Sequence, residues 1–299
     1  MGSRIDWVIG SCRLLAAIGD EFERTRPFEG RRIGTGIHLE PKTVALLLTL
    51  VRGAADVVST GNLNTTQQSA IDYLSEQFAE NRHAVGQSVL ESLLRITNRA
   101  TNGRRVTVFG YGACGKGISA NLRNAYAVVS VVEVDPVLRL EALLDGFLVP
   151  DRESALAEAE IVVTATGAEG VVTGADLALL RDGVILANAG HFPREIDVEG
   201  IVSDPSVDSG EEAAEGVTTL RLVDGRRVHV LANGHMVNLA GPRPLGNSIE
   251  SMDLGFALQA RCLQAVARGV VGADSCVVPV PPEIDAVVAD AFVRLASRA

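Results

Sequence analysis

One stretch constrains this chain more than any other: a β-branched run that empties directly into glycines. Residues 105–109 read Arg-Val-Thr-Val-Phe, and Gly110-Tyr111-Gly112-Ala113-Cys114-Gly115 follows in the spacing G-x-G-x-x-G. A strand, a tight glycine turn and a helix in that order are what a dinucleotide-binding loop requires. The first glycine permits the turn, the second lets backbone approach a pyrophosphate, and the third lets helix and strand pack closely. The helix opening at Ala113 and Cys114 turns its N–H groups and positive dipole end toward the phosphates. A second strand, 127–134, carries Glu133 near its end, about 20 residues on, where a carboxylate accepts the adenosine ribose hydroxyls and repels a 2′-phosphate. NAD rather than NADP is therefore the expected cofactor. Lys116 does not convert the loop into a P-loop, because Gly117 and not Ser or Thr follows it.

The surrounding pattern alternates. Residues 105–109, 127–134, 147–149, 161–166 and 183–189 read as strands, and 117–124, 136–144, 154–159 and 174–180 as short helices. Such alternation implies right-handed crossovers and a parallel sheet covered on both faces, an α/β fold with a Rossmann-type doubly wound sheet. Upstream, a helix is expected over 5–22, a strand over 32–38, a helix over 43–51, a strand over 55–59 and a helix over 86–99. Beyond residue 200 the pattern loosens. A strand is expected over 227–231, a long amphipathic helix over 249–268 and a last helix over 284–295.

Length and charge narrow the functional classes. At 299 residues the chain has room for about two domains. Its 47% apolar and 21% charged residues exclude a disordered chain. A net charge of −10 and only 4% aromatic residues argue against nucleic acid as a partner. The apolar run 43–51 is about half of what a transmembrane helix needs, so no membrane partner is expected. Asp6 and Arg13 interrupt any signal-peptide core. Cys12, Cys114, Cys262 and Cys276 form no C-x-x-C pair and suit reduced thiols in the cytoplasm; no histidine and cysteine spacing suggests a metal.

Motifs along the whole chain carry a resemblance. Residues 108–117, Glu133-Val134-Asp135-Pro136, Asp145-Gly146-Phe147, Thr164-Ala165-Thr166-Gly167, Asn188-Ala189-Gly190-His191-Phe192, Glu195-Ile196-Asp197 and the run 231–239 resemble the NAD-binding part of S-adenosylhomocysteine hydrolases. His38-Leu39-Glu40-Pro41-Lys42-Thr43, Asn81, Gly86-Gln87-Ser88, residues 253–256 and residues 279–285 resemble the remainder of that family. The resemblance implies an NAD domain over 87–240 and a reduced substrate or cap domain built from both termini, 1–86 with 241–299. It also implies a homodimer or homotetramer. It places Gly110, Gly112, Ala113, Cys114, Gly115, Glu133, Thr164, Thr166, Asn188, Gly190 and Asn238 at the cofactor, and His38, Asn81 and His191 at the reacting centre. An imidazole titrating near neutrality suits proton transfer to or from a hydroxyl. His83, His229 and His235 are read as structural.

The substrate side departs from the family. About a dozen residues separate Thr65-Thr66-Gln67 from Asn81, where the family has a long stretch bearing two substrate-site carboxylates. The family lysine beside the reacting hydroxyl falls near Glu76, its Gly-His-Pro-Ser loop becomes Gly246-Asn247-Ser248, and its C-terminal lysine falls near Phe292. The expected function is therefore an NAD-dependent enzyme that oxidises a secondary hydroxyl of a nucleoside, sugar or cyclitol-like small molecule, leading to epimerisation, elimination or net oxidation. The alternatives are a minimal S-adenosylhomocysteine hydrolase and a catalytically inactive NAD-binding paralogue.

Overall fold

A computed structural model describes residues 4–36, 41–60, 84–190, 194–270 and 280–297. They fall into two compact units, 1–80 with 248–299 and 81–247. The second unit is thus wider at both ends than the span 87–240 expected from sequence. The reason is local packing. Ser88 Oγ receives the Asn238 amide at 2.9 Å and reaches Asn247 Oδ1 at 3.1 Å, and the Arg95 guanidinium donates to the Pro242 carbonyl. These bonds draw residues 241–247 into the NAD domain.

The terminal unit carries a small parallel pair, β1 (Arg32–Gly36) with β2 (Asp56–Thr60), joined across the helix Pro41–Arg52. Its core is helical: Leu15, Ile18, Phe22, Leu46, Leu50 and Phe256 are buried together, with Phe22 and Phe28 edge to face at 5.2 Å. The helical periodicity over 5–22 resolves into two helices, Arg4–Ser11 and Arg13–Thr25, broken at Cys12. No side chain of the break caps the second helix. Its first-turn amides are instead satisfied from 239 residues away: Leu14 N–H and Leu15 N–H donate to Asp253 Oδ2 and Oδ1 at 2.8 and 2.9 Å. Burial pushes the Asp253 carboxyl up, against the pull of those N–H groups. Burial also pushes the neighbouring Cys12 thiol up to about 12, which leaves it inert. Removing the acceptor in Asp253→Ala leaves two buried donors unpaired, so chemical denaturation should show a loss of about 1–3 kcal/mol. An unchanged midpoint would mean that water takes the carboxylate's place.

Nearby, Arg261 grips both oxygens of Glu21 at 2.8 and 2.7 Å, tying Arg13–Thr25 to the helix Ile249–Ala267. That hydrogen bonding holds the Glu21 carboxyl below its usual range. The pair therefore supports the fold above the ordinary glutamate range and is lost as pH falls through its lowered value.

The second unit is built on a seven-stranded sheet in the order β4-β3-β5-β6-β9-β8-β7. β3 (Arg105–Phe109), β4 (Val128–Val132), β5 (Ile161–Thr164), β6 (Val184–Asn188) and β9 (Arg227–Leu231) are parallel. Val106, Val108, Val163, Ile185 and Ala187 face one helical layer, and Phe109, Val162, Val184, Leu186 and Val228 the other. Alternate residues buried on opposite faces are the mark of a doubly wound sheet. On the first face the helix Gly86–Thr97 packs against Ala113–Asn124 at a point where a Cβ on Gly86 would fall 2.3 Å from Gly117 O.

Two departures from the sequence reading occur in this sheet. Residues 174–180 hold only a 3₁₀ turn, Gly174–Asp176, closed by a Thr173–Asp176 capping box and by the Arg152 guanidinium on both Asp176 oxygens. Beyond residue 200, β7 (Val207–Ala214) and β8 (Val217–Leu222) form an antiparallel hairpin that adds two strands to the edge. β7 gives little signal because it is exposed along nearly all its length and carries Asp208, Glu211 and Glu212. Edge strands are protected from mispairing by such charges and by bulges, and β7 has register shifts at both ends.

Candidate cofactor site

The site lies at the carboxyl ends of the parallel strands, where the order reverses between β4 and β5 on either side of β3. Gly110 leaves β3 with φ +95°, a conformation side chains rarely adopt, and a Cβ there would meet Ala165 O at 2.6 Å. A Cβ on Gly115 would lie 2.0 Å from Gly110 O. Gly112 differs: a Cβ there meets nothing within 4 Å, so this glycine borders open space. Gly112 is also the N-cap of Ala113–Asn124 and supplies no side-chain cap; the first backward helical bond runs from Lys116 N–H to Gly112 O at 2.9 Å. An uncapped helix start behind an open glycine is a cradle of the right chemistry for a pyrophosphate.

The loop is held from below. Tyr111 is buried, its hydroxyl donates to Asp145 Oδ2 at 2.6 Å, and its ring lies edge-on to Phe147. Burial and Asp145 push the Tyr111 hydroxyl pKa upward, so it stays a donor. Lys116 turns away onto Glu141 at 2.7 Å, which agrees with the absence of a P-loop role. Glu133, half-buried just past the end of β4, accepts from Tyr111 N–H at 2.7 Å and from Val134 and Asp135 N–H at 2.6 and 2.9 Å. The acid and the glycine loop are thereby fixed to each other.

Further along the same edge, Thr164 and Asn188 are fully buried and bonded together, Oγ1 to Oδ1 at 3.1 Å. Asn188 also receives Gly190 N–H at 2.7 Å and donates to Gly234 O at 3.0 Å. Their side chains brace the exits of β5 and β6 from behind. Thr166 and Gly190 stand in front of them, exposed and half-exposed. Asn238 is 2% exposed, and among the described residues its Oδ1 has no hydrogen-bond partner. An unpaired buried acceptor is costly, and a carboxamide NH₂ such as the nicotinamide's would satisfy it. With the glycine cradle, that orphaned oxygen shows that the residues present fit a dinucleotide.

His38, Asn81 and His191 lie outside the described residues. His229 pairs with Thr219 Oγ1 at 2.8 Å between β8 and β9, and burial lowers its pKa, so it is a neutral structural residue. Among the described residues no group of three His, Cys, Asp or Glu side chains could hold a metal, and no helix is long and apolar enough to cross a membrane. One residue of the site had no role assigned from sequence. Glu195, fully buried, accepts from Thr166 N–H, Thr166 Oγ1 and Gly167 N–H at 3.0, 3.1 and 2.7 Å. The sequence marks Glu195 only as part of the Glu195-Ile196-Asp197 motif, and no residue spacing there shows that its carboxyl accepts from residues 166 and 167.

Comparison with known proteins points to the same segment. A family model described as the S-adenosyl-L-homocysteine hydrolase NAD binding domain matches residues 81–243. An S-inosyl-L-homocysteine hydrolase of Methanopyrus kandleri is 31% identical over 376 residues, covering 96% of this chain and 88% of that protein. An adenosylhomocysteinase of Thermococcus kodakarensis is 32% identical over 387 residues, covering 98% and 90%. An adenosylhomocysteinase of Thermoplasma volcanium is 41% identical over 211 residues, covering 71% of this chain and 50% of its own length. Since 376 aligned positions less the 299 residues here leave 77, at least that many positions of the first alignment have no counterpart in this chain.

Proposed function

The chain belongs to the S-adenosyl-L-homocysteine hydrolase family and binds NAD, and from that premise we propose that it is an NAD-dependent enzyme acting on a secondary hydroxyl of a nucleoside, sugar or cyclitol-like substrate. The observation that carries this reading is the contrast between an open, uncapped glycine loop with an unpaired acceptor at Asn238 and a chain at least 77 positions shorter than its alignment with a relative. NAD, when bound, supplies an acceptor for the hydride of a secondary alcohol. The chain's own residues do the rest. The Gly110–Gly115 loop and the helix behind it hold the phosphates, Glu133 the adenosine ribose, and Asn238 the carboxamide. Thr164 and Asn188 brace the loops that carry Thr166 and Gly190. By family resemblance His38 and His191 are assigned to proton transfer at the reacting hydroxyl, and Asn81 to the reacting centre beside them. Oxidation at that carbon acidifies the neighbouring C–H, and epimerisation, elimination or net oxidation follow from there.

A second reading is favoured by the relatives themselves, which are named as hydrolases of S-adenosyl- or S-inosyl-L-homocysteine. One experiment separates the two. The purified NAD-loaded protein is incubated with S-adenosyl- and S-inosyl-homocysteine, with free nucleosides and with polyols. NADH absorbance without release of homocysteine supports the first reading, and turnover to homocysteine supports the second. No NADH signal and no turnover across the set would overturn both and leave an inactive NAD-binding paralogue.

We also propose a homodimer or homotetramer as the working assembly. Eight large apolar side chains between residues 126 and 148 are exposed, among them Val134 (93%), Val137 (70%) and Leu144 (78%). On the helix Pro136–Leu144 three of them, Val137, Leu140 and Leu144, recur at helical spacing, and an apolar helix face left open suits an interface between subunits. Sedimentation of Leu140→Asp/Leu144→Asp should show a lighter species than the parent; an unchanged mass would remove this face from the assembly.

A further inference from the structure

We infer that Glu195 is a positioning residue for the nicotinamide-bearing half of the cofactor, acting through Thr166. Its side chain is fully buried, and among the described residues no cation pairs with it. A buried carboxylate without a counter-ion persists only where donors surround it. Here the donors are Thr166 N–H, Thr166 Oγ1 and Gly167 N–H, all on the exit of β5. The same carboxylate lies against the exit of β6, since a Cβ on Gly190 would fall 1.6 Å from Glu195 Oε1. One carboxylate therefore bonds to the exit of β5 and packs against the exit of β6.

The topology gives those exits a place along the cofactor. Glu133 follows β4, on one side of β3, and the glycine loop follows β3 itself; β5 and β6 lie on the other side. A dinucleotide with its adenosine ribose at Glu133 and its phosphates at Gly110–Gly115 extends its remaining half over β5 and β6. There Thr166 has a defined polarity. Its hydroxyl proton is directed inward to Glu195, and its oxygen accepts Ala168 N–H at 3.0 Å. What remains on the exposed side of Thr166 is an acceptor, complementary to an NH₂ group and not to a carbonyl. Glu195 thus sets which hydrogen-bonding character the crevice presents. Glutamine would break this arrangement, because one carbonyl oxygen cannot serve all three donors and its NH₂ faces an N–H.

The test uses ADP-ribose, which keeps the adenosine and both phosphates and lacks the nicotinamide. NAD and ADP-ribose affinities are measured by calorimetry on NAD-stripped full-length protein and on Glu195→Gln. The expected result is NAD weakened at least tenfold with ADP-ribose within twofold of the parent, and emission of bound NADH moved toward that of free NADH. Equal losses for both ligands, or no loss for either, would overturn the assignment. If Glu195→Gln does not fold, Thr166→Val removes only the hydroxyl: selective weakening of NAD supports the inference, and unchanged NAD affinity overturns it. Failure of the parent protein to bind ADP-ribose would instead sink the cofactor assignment of the whole loop.

Discussion

Gly115→Ala is expected to yield a protein that no longer retains NAD. The added Cβ would stand 2.0 Å from the Gly110 carbonyl oxygen, a backbone atom with no rotamer to retreat into. Relief requires the helix Ala113–Asn124 to part from the exit of β3, where the phosphates must be approached most closely. We expect at least a hundredfold loss of NAD affinity, about 3 kcal/mol, together with a fall in thermal stability. The ratio of ultraviolet absorbances after gel filtration and equilibrium dialysis with NAD read the effect directly. Gly112→Ala is the informative control. Gly112 has φ −66° and its Cβ would enter open space, so the fold should tolerate the change within about 0.5 kcal/mol while the phosphate site is obstructed. Normal NAD retention by Gly115→Ala would mean that this loop is not the cradle.

His191→Ala should do the reverse, sparing the cofactor and removing the chemistry. His191 directly follows Gly190 in the sequence, next after the strand β6 and its exit, and proton transfer by a well-placed imidazole commonly contributes about 10²–10⁴-fold. The rate of NADH appearance with an accepted substrate should fall by that factor, with NAD content after gel filtration unchanged. Loss of NAD in the same variant would instead make His191 a binding residue.

The cofactor half of the molecule was largely legible before its structure. Val106, Val108 and Phe109 are apolar on both faces of a short strand, and the glycines and Glu133 lie within one crossover of it. Such information is local: strand period, turn requirement and helix start are written within about thirty residues. The hairpin of β7 and β8 was not legible, since a mostly exposed strand bearing acids lacks the alternation that marks a half-buried one. Nor was the break at Cys12, because the acceptor that stabilises it, Asp253, is supplied from the other end of the chain. The domain limits shifted for the same reason: Ser88, Asn238 and Asn247 form one cluster across some 150 residues.

Sequence by itself therefore determined the family, the cofactor and the presence of the parallel strands β3, β4, β5 and β6, all properties of contiguous motifs. Tertiary structure decided which groups are braces and which face the crevice. Thr164 and Thr166 are two residues apart in one motif, yet one is buried against Asn188 and the other stands exposed with its hydroxyl turned to Glu195. Burial and hydrogen-bond direction depend on what the rest of the chain brings alongside, and that is settled only when the strands are side by side.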